Sequence, residues 1–366
     1  MNLSVGIVGL PNVGKSTLFN ALTRKSAPAE NYPFCTIDPS VGMVEVPDNR
    51  LATLARISQS ERVIPAIVEF VDIAGLVKGA SVGEGLGNKF LANIRETDMV
   101  AEVVRIFEDE DVHHVSGVVD PMSDIETINL ELIMADAESV SKRMQSIVRD
   151  VRSGDKKSVE LKSILERLLP HLEGGQLANT LDMTNNEKEL AKELRLLTLK
   201  PFLYVCNKKQ GAFNLDDNND DRWQELLSFF EETNSVYVIV DAGVEHELKD
   251  LQEDEKNDFR REYGTQSNGI DTLIKASYRL LGLISYFTTG EKETRAWTIE
   301  EGDTAPEAGA AIHTDFQDKF IRAQVVGFDD LVSAGSKSAA KESGKIRTEG
   351  KEYMVKDGDV MEFLHS

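Results

Sequence analysis

The segment Gly9 to Thr17, GLPNVGKST, has the spacing GxxxxGK[ST], in which successive backbone amides can close around one anion while a lysine neutralises it. Gly9 and Gly14 would let the backbone curl, Lys15 would reach the outer phosphates and Ser16 would hold magnesium. The context fits this chemistry. The apolar run Leu3 to Val8 reads as a buried parallel strand, and Ser16 to Leu22 continues with helical spacing, so the positive end of a helix would face the anion. A Gly-rich turn with an exposed lysine is the plain alternative, and the strand-loop-helix setting argues against it.

A triphosphate site needs further groups at the ends of neighbouring strands. Asp72, in the DIAG segment, follows a second apolar run, Val63 to Val71; its carboxylate would hold magnesium through water, and the Gly75 amide would sense the terminal phosphate. A simple turn after an edge strand is the competing reading. Between the two motifs lies NYPFCTIDPSVG, Asn31 to Gly42, in which Thr36 is placed to bind magnesium as a switch or, more plainly, to cap or pair a strand. Asn207 to Gln210, NKKQ, stands where a guanine-specific site would have NKxD. Asn207 can hold the loop and the base N7. Gln210 lacks the charge that makes guanine selection strong, so discrimination should drop. Leu76 follows the DIAG segment where many such switches carry a water-positioning glutamine, so intrinsic hydrolysis should be slow unless another group enters. His113 or His114, after the acidic run Glu108 to Asp111, is the nearest polar candidate, and His114 is the candidate catalytic residue; an exposed or structurally bonded histidine is the alternative.

These residues must be positioned by a sheet. Strand-like runs alternate with helical patterns up to about Asp124, including a helix over Gly87 to Glu96 and a strand over Met99 to Phe107, which is the signature of a doubly wound α/β domain. From Asp124 to Leu199 apolar residues recur at helical spacing, with a break at Ser153 to Lys156, predicting an antiparallel helical hairpin inserted in the sheet domain. It could serve as a lever, a partner surface or plain structure. Strands return with FLYVCN after Pro201 and at Val236 to Val240, and a helix over Ile270 to Leu283 closes the domain. Short strands at Arg295 to Ile299, Phe320 to Val326 and Tyr353 to Phe363 then predict a small β-rich domain.

The chain has 366 residues, enough for two or three domains, and 41% hydrophobic residues supply their cores. No apolar run approaches bilayer length and no export signal is evident, so a soluble, cytoplasmic protein without a membrane partner is expected. Cys35 and Cys206 lack metal-ligand spacing and read as buried or free thiols in a reducing compartment. A net charge of -22 argues against broad binding to nucleic-acid backbones, and direct DNA binding is not expected. Basic residues crowd the last stretch, Lys337 to Lys356, as either a solvated face or a docking surface.

Taken together, GLPNVGKST, NYPFCTIDPSVG, FVDIAGLVKGAS with GEGLGNKFLANIRETD, and AIHTDFQDKFIRA with EGKEYMVKDGDVMEF resemble the YchF branch of the Obg-related P-loop proteins, the Obg-like ATPases, over nearly the whole chain. The resemblance implies a Ras-like P-loop NTPase domain of the OBG type over 1–124 and 200–281, a coiled-coil hairpin over 125–199 and a C-terminal TGS domain over 282–366. It implies hydrolysis of ATP in preference to GTP, dependence on Mg2+ with K+ as a second candidate ion, and association with the ribosome through its large subunit. Residue by residue, it places Asn12, Val13, Gly14, Lys15, Ser16 and Thr17 on the phosphates, Ser16 and Thr36 on magnesium, Asp72 and Gly75 at the switch, and Asn207 near the base. Leu76 resembles the hydrophobic substitution that marks the group, and His114 the histidine that stands in for the missing glutamine. The family usually ends its base motif in Glu; Gln210 stands there instead, while Lys208 restores a GTPase-like NK, so mixed ATP and GTP use stays open. Two classes of function follow: a slow ATPase that resets a ribosome-bound switch, or a nucleotide-gated binding module whose hydrolysis is incidental.

Overall fold

A computed structural model describes residues 3–23, 40–73, 86–109, 118–248, 251, 255, 258–259 and 268–365. Strands β1 (Ser4–Val8), β5 (Met99–Arg105) and β7 (Phe202–Asn207) are buried at every position, which is why they read as unbroken apolar runs and lie at the centre of a sheet covered on both faces. With β2 (Val41–Glu45), β4 (Ile67–Asp72) and β9 (Val236–Val240) they form a six-stranded sheet in the order β2-β4-β1-β5-β7-β9, parallel except for the antiparallel β2–β4 pair. Helices α1 (Lys15–Thr23), α3 (Leu86–Glu96), α8 (Asp221–Glu232) and α9 (Ala242–Leu248), with the helix Gly269–Leu280, connect or cover these strands. A two-stranded ribbon, β6 (Phe107–Glu108) with β8 (Phe213–Asn214), extends beyond the ends of β5 and β7.

Between β6 and β7 the described residues are mainly helical. Helix α4 (Pro121–Ser146) begins at Asp120, whose carboxylate accepts from Ser123 N at 3.1 Å with proline in the first turn. After the short α5 (Val148–Arg152), Asp155 caps α6 (Lys156–Glu173), and a Thr184–Glu187 capping box starts α7 (Asn185–Lys192). Ile133, Val140 and Ile147 of the outgoing arm meet Leu161, Ile164, Leu165 and Leu168 of the returning one, a core separate from that of the sheet. Its base is pinned by Asp136. This fully buried carboxylate accepts from Leu197 N at 2.9 Å, Thr198 N at 2.7 Å and Thr198 Oγ1 at 2.7 Å.

The run Val63 to Val71 is not one strand. Pro65 offers no N–H, and the chain divides there into β3 (Arg62–Ile64) and β4, which enter different sheets. The second sheet contains β10 (Leu283–Thr289), β11 (Glu293–Glu300), β12 (Phe320–Gly327), β13 (Arg347–Glu349) and β14 (Asp359–His365), in the order β13-β12-β14-β10-β11-β3. The helix expected over Ile270 to Leu283 stops at Leu280, because Gly282 turns the chain at φ +68° and Leu283 already begins β10. The last strand covers only the final part of Tyr353 to Phe363. The C-terminal unit expected at 282–366 is therefore completed by three residues from inside the nucleotide domain, with Glu293–Arg295 of β11 lying parallel to Arg62–Ile64. Arg50, on α2 (Asn49–Ser58), strengthens the same junction by bonding Asp48 at 2.8 Å and Asp357 at 2.6 Å, while Asp357 accepts from Ser285 N at 3.0 Å.

Candidate functional site

The loop after β1 lies at the carboxyl ends of the parallel strands, where open α/β sheets place their ligands. Its curvature depends on two glycines. A Cβ on Gly9 would stand 2.7 Å from Val103 O, and one on Gly14, at φ +99°, would collide with Nδ2 of Asn207. Asn12 also takes a left-handed conformation, φ 65°, so the chain folds back just before α1.

Lys15 is 8% exposed, and its Nζ donates to Leu10 O at 2.7 Å, closing the loop upon itself. Burial pushes its pKa down to about 8, opposed by the attraction of Asp72. Asp72, half-buried at the end of β4 and level with Ile7 of β1, is in turn raised by burial and lowered by Lys15. Burial thus drives both groups toward their neutral forms, and their mutual attraction offsets only part of it. A bound triphosphate and a divalent ion would supply the charges that such a pair lacks.

Ser16 is exposed in the first turn of α1, and its hydroxyl has no partner among the described residues; the Asp72 carboxylate likewise makes no hydrogen bond there. A hydroxyl and a carboxylate with no hydrogen-bond partner among the described residues, beside an anion loop, offer hard oxygens of the kind that fits Mg2+. Such an ion would supply charge neutralisation at the outer phosphates.

Asn207, at the end of β7, is 4% exposed and occupied at both ends. Its Nδ2 donates to Val13 O at 2.8 Å, and its Oδ1 accepts from Ala242 N at 3.0 Å. It therefore ties the phosphate loop to the start of α9, just beyond β9. Asp241, which the sequence reading missed, does the same for the base segment by accepting from Gln210 N at 2.6 Å and Val244 N at 2.9 Å. Its signal was a carboxylate between a strand and a short helix at the ligand-binding end of the sheet. Burial raises the pKa of Asp241 against those backbone bonds.

Lys208 is ion-paired with Asp216 at 2.9 Å and Asp217 at 2.7 Å. Burial opposes its charge, and the hydrogen bonds to Asp217 and Asp216 raise its pKa regardless. Asn214 braces the loop by accepting from Lys209 N at 3.0 Å and donating to Lys209 O at 3.0 Å. The carboxamide of Gln210, half-buried, has no hydrogen-bond partner among the described residues. The structure thus brings Asn12, Val13, Gly14, Lys15, Ser16, Thr17, Asp72 and Asn207 to one end of the sheet. Thr36, Gly75, Leu76, His113 and His114 lie outside the described residues.

The parallel sheet, the curled loop opening α1 and the lysine-carboxylate pair define a P-loop nucleotide-binding protein. Residues 4–153 match the family described as "50S ribosome-binding GTPase", and residues 283–366 match YchF-GTPase_C, described as "Protein of unknown function (DUF933)". The chain is 50% identical to the ribosome-binding ATPase YchF of Bacillus subtilis, over 99% of each chain. It is 48% identical to the protein of the same name in Escherichia coli O157:H7, over 100% of this chain and 99% of that one. The YchF GTPase of Schizosaccharomyces pombe, 36% identical, superimposes with a TM-score of 0.88, covering 99% of this chain and 98% of that one. The chain belongs to the YchF family.

Proposed function

We propose that this chain is a P-loop ATPase that cycles slowly between nucleotide states and associates with the ribosome through its large subunit. The observation that carries the nucleotide reading is the double clamp of Asn207 on Val13 O and Ala242 N, which holds the phosphate loop in its anion-binding curl before any ligand arrives. The ribosome reading rests on the names of the relatives and on the description of the family matched by residues 4–153.

In this reading the loop amides and Lys15 grip the β- and γ-phosphates, Thr17 adds its contact there, and Ser16 and Thr36 hold Mg2+, with Asp72 reaching it through water. K+ is a second candidate ion. The Gly75 amide senses the γ-phosphate, and Leu76, unable to orient water, leaves hydrolysis slow and to a group such as His114. The base lies against the platform set by Asn207 and Asp241. With Lys208 held by two aspartates and Gln210 uncharged, the base edge is read weakly, and GTP is accepted beside ATP.

The test is a competition titration of ATP against GTP with magnesium present, joined to steady-state turnover with and without ribosomes. Binding of either purine triphosphate and turnover stimulated by ribosomes are expected. No binding of either nucleotide by folded protein overturns the reading, and docking that responds to nucleotide without any turnover would instead make the chain a gated binding module.

A further inference from the structure

The segment Asn207 to Gln210 carries two lysines, and acids engage both. Lys208 directly follows the clamping Asn207 at the carboxyl end of β7. Its backbone N–H donates to Val240 O at 2.9 Å, which sets it beside the end of β9. Its positive charge partly offsets the burial that raises the pKa of Asp241, the residue that holds Gln210 N. The Lys208 ammonium itself is bonded to Asp216 at 2.9 Å and Asp217 at 2.7 Å, in the turn between β8 and α8. Lys209, the next residue, pairs with Asp109.

The trap around Lys208 is braced. Asn214 bonds both the N–H and the carbonyl of Lys209 and donates from Nδ2 to Asp217 Oδ2 at 3.1 Å, so the acid turn and the base segment form one hydrogen-bonded unit. The Asp216 side chain is 11% exposed, and its Oδ1 is buried with no hydrogen-bond partner among the described residues. Lys208 is the cation that balances this carboxylate, and its own side chain is only 22% exposed. Neither partner can exchange the other for water without cost.

The two purines differ at the edge an ammonium would read. Guanine offers acceptors at O6 and N7, whereas adenine sets an N6 amino donor beside N7, which repels an ammonium. A lysine released at this end of the sheet would therefore favour guanine, and a lysine held by two carboxylates favours neither. Gln210 has an uncharged carboxamide without a partner among the described residues. It can turn either its oxygen or its nitrogen to the base and adds no strong preference of its own.

We propose that Asp216 and Asp217 set the purine selectivity of this chain by withholding Lys208 from the base, so that GTP is not preferred over ATP. They act through Lys208 and are positioning residues. The inference rests on the nucleotide reading above and names the residues behind its weak choice of base.

The experiment combines Asp216→Asn with Asp217→Asn in the full chain, which keeps the shape of both side chains and removes their charge. Calorimetry gives dissociation constants for the magnesium complexes of four nucleotides: ATP, GTP, inosine triphosphate, which has O6 and no 2-amino group, and 2,6-diaminopurine riboside triphosphate, which has a 6-amino group and no O6. The double variant should shift toward GTP over ATP by at least about fivefold, the effect of one charge-assisted hydrogen bond partly exposed to water. Inosine triphosphate should follow GTP, and the diaminopurine nucleotide should follow ATP. Adding Lys208→Gln should return the GTP-to-ATP ratio to the wild-type value. Thermal unfolding without nucleotide checks the fold. Should the double variant unfold, Asp217→Asn alone, at a side chain 54% exposed, should give the same pattern at about two- to threefold.

An unchanged ratio in a folded variant overturns the proposal and leaves the nucleotide reading standing. A shift toward GTP that survives Lys208→Gln also overturns it, because the acids would then act by their own charge. Wild-type protein that binds none of the four nucleotides sinks the nucleotide reading, and the proposal with it.

Discussion

Replacing Asn207 by alanine should disable nucleotide binding without unfolding the protein. The side chain is buried and makes two hydrogen bonds, to Val13 O at 2.8 Å and from Ala242 N at 3.0 Å. Alanine leaves one acceptor and one donor without partners, each worth about 1–3 kcal/mol when stranded, and water can enter the vacated space to recover part of that. A net loss of about 2–3 kcal/mol falls on the curl of the phosphate loop, because neither partner lies in the sheet: Val13 belongs to that loop and Ala242 opens α9. At about 1.4 kcal/mol per factor of ten, the dissociation constant for MgATP should rise about 30- to 140-fold. Asn207→Asp keeps an acceptor for Ala242 N but sets a carboxylate oxygen against Val13 O, so it should bind at least as poorly. Isothermal calorimetry reads the affinity, and a thermal melt without nucleotide confirms that the fold survives. A dissociation constant within threefold of wild type, in a folded variant, would refute the clamp as the source of preorganisation.

Three further outcomes follow from the buried charges. Lys15, at about 8 in the free protein, must be protonated to neutralise phosphate, so ATP affinity should be flat below neutral pH and fall by up to about tenfold per unit above about 8; a flat titration into the alkaline range contradicts the burial of this amine. Asp136→Ala strands the amides of Leu197 and Thr198 and should cost about 3–5 kcal/mol, seen as a lower denaturant midpoint, whereas a change under 1 kcal/mol would show that the hairpin base is held otherwise. Glu102 is fully buried, its carboxyl oxygens lack hydrogen bonds among the described residues, and burial with neighbouring Asp124 raises its pKa well above the ordinary value. The folded state therefore keeps a proton that the unfolded chain releases, and stability from this group is lost as pH rises above the ordinary carboxylate range. Glu102→Gln should stabilise the protein increasingly from acid to neutral pH, and a constant difference across that range would count against a neutral carboxyl.

The nucleotide end of the sheet was legible because its signals are local. A buried strand, a Gly-bounded loop and a helix start sit within twenty residues, and Asp72 follows an apolar run at the level of Ile7. What escaped depends on distant partners. The position of Asp241 between a strand and a short helix marks a cap but does not say that it will hold Gln210 N, and nothing near Asp136 announces the amides of Leu197 and Thr198. Val63 to Val71 looked like one strand because apolar content outweighed a single proline, and the segment that takes up Arg62–Ile64 lies more than two hundred residues later. The helix predicted to reach Leu283 overran its glycine for the same reason: Leu283 is apolar in either state, and only the pairing of β10 with β11 decides between them. Lys208, read as restoring a guanine-type motif, is engaged by Asp216 and Asp217, a local pairing that a motif comparison does not weigh.

The loan of Arg62–Ile64 to the C-terminal sheet has a consequence for how the molecule can be cut. An excised fragment beginning near Leu283 would leave β11 with a bare row of amides and carbonyls, inviting self-association into ribbons. On the translating chain, conversely, those three residues emerge long before their sheet exists, so the amino-terminal half must wait, with one short ribbon unmatched, until synthesis is nearly finished.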